Sequence, residues 1–378
     1  MDAFCTDDDM ALGAMVERFA RERLAPAAQG IDEQQRFAGE HLPALAEIGL
    51  TGLNLPERHG GAGASPLALY LAVEALASTC ASTTSMLTAH YLATDSILIG
   101  GSEEQRARFL VDAAAGRKLG AFGLTEPKAG SNPTDMTTRA TREGSVYRLN
   151  GTKHFISNAG QADFIVVYAI TDQTAGARGI SAFVVERGIP GLSVGPAEPT
   201  MGLRGGHVFE VSFDGCLVPE ENRLGEEGAG FRTAMKVLDN GRIEVTATCT
   251  GIARAALAAA VSWAGQREID GAPIARFQGL QWMLADMAVD LDASRLLGLR
   301  AAQLRAQGQR FSAEAARAKL HASEMAGRVT DKALQIHGGY GYSRHMPLER
   351  YARDARIMRI YEGSSEIQRN IIARNLLA

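Results

Sequence analysis

Apolar positions recur every three to four residues over most of this chain, and the exceptions fall in one block. From Thr6 to Arg23, Leu12, Met15, Val16 and Phe19 share one helical face; acids fill the first turn, Arg21 and Arg23 the last, and Pro26 marks the stop. Leu42 to Leu50 predicts a short helix and Arg58 to Gly63 a Gly-rich loop. Pro66 to Ser78, Thr83 to Ile99 and Glu103 to Ala115 predict three more helices, the middle one apolar nearly all round. From about Gly120 to Gly225, β-branched residues and turn signals take over. Phe155-Ile156, Phe164 to Tyr168, Ala182 to Val185 and Val208 to Phe213 read as strands, with Asn150-Gly151 and Asp214-Gly215 as tight turns. Short strands without interleaved helices predict a small antiparallel barrel or sandwich. Beyond Gly230 helices return. Phe277, Leu280, Leu284, Met287 and Leu291 are spaced 3, 4, 3, 4, the seam of a helical bundle, and Ser312 to Ile336 is an Ala-rich helix suited to close approach. The expected organisation is α+β in three domains: helical (1–119), β (120–225) and helical (226–378).

Composition narrows the classes. A chain of 378 residues with 46% apolar residues can bury several cores. The net charge of −4, with charges interspersed, argues against a nucleic-acid partner. Cys5, Cys80, Cys216 and Cys249 form no CxxC pair, so neither a metal site nor a redox dithiol is indicated, and such sparse use fits a reducing compartment. The start, Met1 to Phe4 followed by Asp7-Asp8-Asp9, lacks the apolar core of a secretory signal and the basic residues of a transit peptide. No unbroken run of about 18 apolar residues is present, so no membrane span is expected. The expected setting is cytoplasmic.

Four segments carry candidate chemistry. No GxGxxG, Walker A, HExxH or GxSxG motif is present, which removes the commonest dinucleotide, nucleotide, zinc-protease and serine-hydrolase sites. Ala121 to Asn132 begins as a strand and ends in a Gly- and Ser-rich turn, whose N–H groups and hydroxyls could hold a polar cofactor edge or simply leave the strand. In Gly151 to Gly160, Phe155 and Ser157 are two apart and share a strand face, as a flat aromatic cofactor would require; a core Phe and a strand-end Ser would look the same. Gln335 to Tyr342 ends a helix in glycines, a C-cap or a place for close ligand approach. In Arg356 to Gln368, Gly363 permits a bend and Ser365 with Gln368 has capping-box spacing, which places Glu362 on a corner at a helix entrance. A carboxylate there reads either as a solvated complement to the helix dipole or, facing an apolar cleft, as a general base.

Taken together and in order, these segments resemble the acyl-CoA dehydrogenase family over essentially the whole chain. The motifs are Leu124-Thr125-Glu126-Pro127 with Ala129-Gly130-Ser131, Asn150-Gly151-Thr152-Lys153 with Ile156-Ser157-Asn158, Arg267 before Gly271, Gln335 with Gly338-Gly339, and Arg353-Asp354-Ala355 with Tyr361-Glu362-Gly363-Ser364-Ser365. The resemblance implies an N-terminal helical domain, a middle β domain and a C-terminal four-helix bundle, assembled as a homotetramer (a dimer of dimers). It implies FAD, with Phe122, Leu124, Thr125, Phe155 and Ser157 at the flavin ring and Ser131 at the cofactor and CoA edge. Arg267, Gln335 and Gly339 would serve the dinucleotide portion across a subunit interface, and Ser364 and Glu366 the C-terminal side. Asp239 and Arg242 would meet the CoA portion, with Tyr361 and Gly363 beside the acyl group. Glu362 would remove the α proton of an acyl-CoA thioester as a hydride leaves the β carbon. Hydrogen bonds from the Glu362 N–H and a flavin hydroxyl would stabilise the enolate. The product would be a trans-2-enoyl-CoA, and electrons would pass to an electron-transfer flavoprotein.

The chain departs from the family pattern at Asn132, where Asp is usual, at Asp270, where a Phe packs by the FAD, and at Gly206-His207, where small hydroxyl residues are common. The alternative position of the base in some members is Gly241 here, which leaves Glu362. Ala315 to Leu320, Ala322 to Glu324 and Met346 to Arg350 look most like short-chain members and point to short straight or branched acyl groups. The rival readings are a dehydrogenase of carrier-protein-bound acyl groups, an oxygen-using acyl-CoA oxidase, and a flavin-free binding partner suggested by Asp270.

Overall fold

The computed structural model describes residues 4–377, so Met1–Ala3 of the acidic start lie outside the described residues. The first body is helical: α1 (Asp7–Phe19), α2 (Ala25–Gln34), α3 (Leu42–Glu47), α4 (Pro66–Ala77), α5 (Ala81–Gly100) and α6 (Glu103–Ala114). Thr6 caps α1 in a full capping box with Asp9. Pro26 does not stop the chain. A π-helical turn, Ala20–Leu24, carries α1 into α2, and Pro26 falls in the first turn of α2, where a missing N–H is harmless. Every residue of α5 from Ala81 to Ile97 is buried, including His90 and Asp95, which interrupt an otherwise apolar and hydroxyl-bearing pattern.

The middle body is one mixed sheet: β1 (Gly120–Gly123), β2 (Arg139–Glu143), β3 (Val146–Ser157), β4 (Phe164–Ile170), β5 (Ile180–Glu186), β6 (Leu192–Ala197), β7 (Val208–Pro219) and β8 (Arg223–Leu224). Its order is β6-β7-β3-β2-β4-β5-β8, with β1 on β4. The expected antiparallel pattern holds for most pairs, but β1 runs parallel to β4, and β2 meets β4 in parallel at its end. β1 enters directly from the helical body, so no hairpin dictates its direction. Asn150-Gly151 and Asp214-Gly215 are not turns. They face each other inside the long β3–β7 pair, where the register shifts between Leu149 and Gly151 and the Asn150 side chain accepts the Gly215 N–H. Dipeptides that suit tight turns also suit bulges, because both need unusual backbone angles.

The second helical body contains α7 (Gly230–Gln266), α8 (Gln278–Ala306), α9 (Ser312–His337), α10 (Gly339–Tyr342), α11 (Leu348–Arg356) and α12 (Ser365–Leu377). Between α7 and α8 lies a small hairpin, β9 (Glu268–Ile269) with β10 (Ala272–Pro273). By length and composition α7 could cross a bilayer, although Glu244 and Arg254 interrupt its apolar run; in the fold it packs against α4, α5, α8 and α9. The seam read from Phe277 to Leu291 is buried at Met287 and Leu291, while Phe277 at its start is exposed.

Two motifs prove to be fasteners. Arg353 forms a two-pronged pair with Asp32 of α2 at 2.6 and 2.9 Å and also binds Glu349. The buried Asp354 accepts the Leu203 N–H at 2.6 Å. Consecutive residues of α11 thus tie the last body to the first and to the segment after β6. Such bonds hold the helix that precedes Glu362 in a fixed place.

Candidate active site

Glu362 occupies a corner built under strain. Its backbone is left-handed, φ +52°, and Gly363 follows at +89°. A non-glycine residue in that region costs about 1 kcal/mol or more and persists only where its surroundings demand it. The φ of Gly363 favours glycine, and a Cβ there would also come within 2.7 Å of Gln368 Nε2 and displace it. The expected capping box does not hold the corner. The Ser365 hydroxyl donates to Glu324 at 2.6 Å instead, and Gln368 reaches back to the carbonyls of Glu362 and Gly363. Lys319, buried in α9, donates to the Gly363 carbonyl at 2.7 Å.

The corner turns the carboxylate inward. The residue as a whole is half-buried, but Oε2 is sealed from solvent with no hydrogen-bond partner among the described residues. Burial pushes the Glu362 carboxyl up to about 7, against the pull of Lys319 and Arg242 in the other direction. Lys319 itself is lowered to about 8 by burial.

Gly241 of α7 makes the room. A Cβ there would lie 2.1 Å from Glu362 Oε2 and 2.8 Å from Leu92 of α5. Gly241→Ala should therefore displace the carboxylate and lower kcat/KM by about 100-fold, since a displacement of about 1 Å has that cost. Steady-state kinetics with retained thermal stability would show it; unchanged kinetics would mean that the carboxylate has another resting place.

The shelf segments are positioned by a buried ion pair that joins their two motifs. Lys153 Nζ lies 2.8 Å from Glu126 Oε1 and also donates to the Leu124 carbonyl at 3.1 Å. Glu126 accepts the N–H groups of Thr137 and Thr138. Burial alone would raise the Glu126 carboxyl; Lys153 and these donors outweigh it and hold it near 2. Phe122 is half-buried and its ring lies 5.2 Å from that of Tyr168; Leu124 is buried, Thr125 half-buried. Phe155 and Ser157 both stand off the core, but by way of a bulge rather than plain alternation. The register shifts between Lys153 and Ile156, Phe155 sits at φ +57°, and its ring is 59% exposed, stacked on His154 at 4.1 Å. The Phe155 ring is thus held outside the core at a backbone cost.

The remaining predicted residues scatter. Ser131 and Asn132 are exposed on the loop after β1. Arg267, Gln335 and Gly339 are exposed on the second helical body, as residues serving a neighbouring subunit's cofactor would be. Ser364 is half-buried and hydrogen-bonded to the exposed Glu366, while Tyr361 packs near Met358. Asp270 with Gly271 forms the turn of the β9–β10 hairpin, both at positive φ, a geometry that favours Asp-Gly. Its identity follows from that turn. Asp239 accepts from Arg242 and Ser312. Arg242 is buried, and its charge, after that of Lys319, favours the ionised form of Glu362. Gly206 packs beside Ser85, and His207 bonds the Gln35 carbonyl. No group able to hold a metal ion occurs among the described residues. Two open clefts, of about 180 and 310 Å³, lie along α2 and residues 344–351 and do not reach Glu362.

Sequence reasoning missed Lys319, Asp95 and Glu244. The last two had a signal: Asp95 is the one acid of a mostly apolar and hydroxyl-bearing helix, and Glu244 stands in the apolar stretch between Arg242 and Arg254.

The Glu362 carboxylate is thus withdrawn from water against α7 and α5, and the sheet carries an exposed aromatic residue at Phe155. The chain belongs to the acyl-CoA dehydrogenase family: the N-terminal, middle and C-terminal domain models of that family match residues 6–117, 121–216 and 228–377. It is 43% identical over 374 residues to the short-chain specific acyl-CoA dehydrogenase of Clostridium acetobutylicum, covering 99% of both chains. It is similar to the structure of butyryl-CoA dehydrogenase from Megasphaera elsdenii, with a TM-score of 0.97 and 42% identity over 100% of both chains. A chain in a structure of the electron transferring flavoprotein of Acidaminococcus fermentans matches with a TM-score of 0.98 and 43% identity, again over 100% of both. Members of the family are FAD-dependent oxidoreductases.

Proposed function

We propose that this protein dehydrogenates short-chain acyl-CoA thioesters between the α and β carbons, with Glu362 as the α-proton base. The observation that carries the assignment is the sealed, unpartnered Oε2 of Glu362 on a strained corner, with a carboxyl raised to about 7. A base of that strength is half-ionised near neutrality and accepts a proton that an ordinary carboxylate would return. Lys319 and Arg242 keep the ionised form accessible despite burial. The Glu362 N–H, on the same corner, would polarise the thioester carbonyl as negative charge develops. Phe122, Leu124, Thr125, Phe155 and Ser157 would hold the ring of FAD, with Ser131, Ser364 and Glu366 at its edges and Arg267, Gln335 and Gly339 serving its dinucleotide portion from a second copy. FAD, when bound, supplies the hydride acceptor. Leu92 and the buried wall of α5 exclude water from the proton transfer.

The chain's likeness to relatives named for short-chain and butyryl-CoA substrates supports the acyl length, and its likeness to a chain solved with an electron transferring flavoprotein supports that class of electron acceptor. A homotetramer is supported by Trp282, Val289 and Leu296, apolar, exposed and seven residues apart along α8, hence on one face. Light scattering should return the mass of four chains, and a monomer would remove that proposal. A cytoplasmic setting fits the same relatives.

Bleaching of the FAD-reconstituted protein by butyryl-CoA, in the absence of oxygen, tests the function. A protein that cannot be made yellow would overturn it, and activity confined to carrier-protein thioesters would move it to the rival substrate class. The pH dependence follows from the direction of the shift. Glu362 must be ionised to act, so kcat/KM should rise about tenfold per pH unit below 7 and level above it. Lys319→Met should move the midpoint upward, because it removes the first charge that favours the ionised form. The sign for stability is opposite: a carboxyl raised above its unfolded value stabilises the fold below pH 4.5, and that contribution is lost as the pH rises through 7.

A further inference from the structure

Beside the Gly241 contact with Glu362, α7 carries a second buried carboxyl group for which the proposed reaction has no use. Glu244 of α7 is 2% exposed, and both of its carboxylate oxygens lack a hydrogen-bond partner among the described residues. It lies three residues beyond Gly241, on the same helical face as the position that touches Glu362 and Leu92. Asp95 of α5, 1% exposed, approaches the same region, but its oxygens are taken by Asn54 at 2.7 Å and Asn240 at 2.6 Å. One cation, Arg305, stands 4.0 Å from Asp95. Burial first, and then the like charges of Asp95 and Glu362 against the single opposite charge of Arg305, raise the Glu244 carboxyl well above its ordinary value, so the group is held protonated. Buried carboxyl groups are hydrogen-bonded in folded proteins, and an unpartnered one on the helix face beside the candidate base is short of a partner that the described residues do not provide.

We infer that Glu244 recognises a protonated amine at the far end of the acyl group, so that the substrate is a short ω-aminoacyl thioester. The inference rests on the acyl-CoA dehydrogenase reading of the Glu362 corner. Three helical residues advance about 4.5 Å, comparable to the reach of a four- or five-carbon acyl group from its α carbon to its terminal atom. With the α carbon at Glu362, a terminal ammonium arrives at Glu244, which gives up its proton to solvent and accepts the ammonium's hydrogen bonds on its two oxygens as a paired carboxylate. A methyl terminus at the same place leaves Glu244 unpartnered and is disfavoured for that reason.

The test compares 5-aminopentanoyl-CoA with hexanoyl-CoA, in which a methyl group replaces the ammonium, with butyryl-CoA as a third thioester. Each is mixed freshly with the FAD-reconstituted protein, and bleaching is followed by stopped flow before the aminoacyl group can cyclise. The wild type should favour the aminoacyl thioester over hexanoyl-CoA by about 30-fold or more in kcat/KM, and Glu244→Gln should reverse the preference. Equal or better use of hexanoyl-CoA by the wild type overturns the inference without need of any variant. Glu244→Gln that slows both thioesters alike also overturns it, since that is the signature of a structural role. If butyryl- or hexanoyl-CoA bleaches the flavin and the aminoacyl thioester does not, this inference falls and the family reaction stands. If no thioester bleaches it, both fall.

Discussion

Glu362→Gln should keep FAD and bind thioester, yet bleach about 10³- to 10⁴-fold more slowly than the wild type, the usual contribution of a positioned general base. The substitution suits the site because the amide has nearly the volume of the carboxylate. The contact with Gly241, the bend at Gly363 and the bonds from Gln368 to the corner carbonyls are all retained. What is lost is the acceptor of the proton. The residual rate should also lose the midpoint near pH 7, because the group that titrates there is gone. Glu362→Asp, one methylene shorter, keeps the charge but withdraws it from the pocket and should lose about 100-fold. Near-normal bleaching by the Gln variant would defeat the assignment of the base.

Lys153→Met should destabilise the protein by about 3–5 kcal/mol, the usual cost of removing one partner from a buried ion pair. Lys153 and Glu126 are essentially inaccessible, 0% and 1% exposed, and no water can replace the lost ammonium. Glu126 would keep its bonds from Thr137 and Thr138 but lose the charge that holds it ionised, and the Leu124 carbonyl would lose its donor. The denaturant midpoint should fall accordingly, and FAD retention should fall with it because Leu124 and Thr125 border the shelf. Glu126→Gln alone should also destabilise. The double substitution should lose clearly less than the sum of the two, since neither partner then remains buried and charged. Full additivity would show that the pair is not coupled.

The sequence was most informative where a pattern is local. Helical periodicity, the change of character near Gly120 and the apolar helix read over Thr83 to Ile99 all depend on neighbours along the chain, and α1, α4, α5, α6 and α9 lie close to where that periodicity places them, while α2 continues past the stop read at Pro26. Joint motifs carried the family, and with it Glu362. Dipeptides were less informative, because Asn150-Gly151 and Asp214-Gly215 satisfy a turn and a bulge equally well, and only pairing across β3 and β7 distinguishes the two. Ser365 and Gln368 had the spacing of a capping box, but Glu324, 41 residues earlier, provides a better partner for Ser365.

By itself, then, the sequence determined the three-part helix–strand–helix order, the family and the identity of the candidate base, because these are written in local periodicity and in contiguous motifs. The tertiary structure decided what Glu362 becomes. Its raised carboxyl requires Gly241 and Leu92 from two other helices to close around Oε2, and Lys319 from a third to grip the corner. It also revealed that Arg353 and Asp354 are fasteners and that Glu244 is a buried carboxyl group without a hydrogen-bond partner among the described residues. Burial and charge pairing belong to groups far apart in the chain, and no spacing between neighbours encodes them.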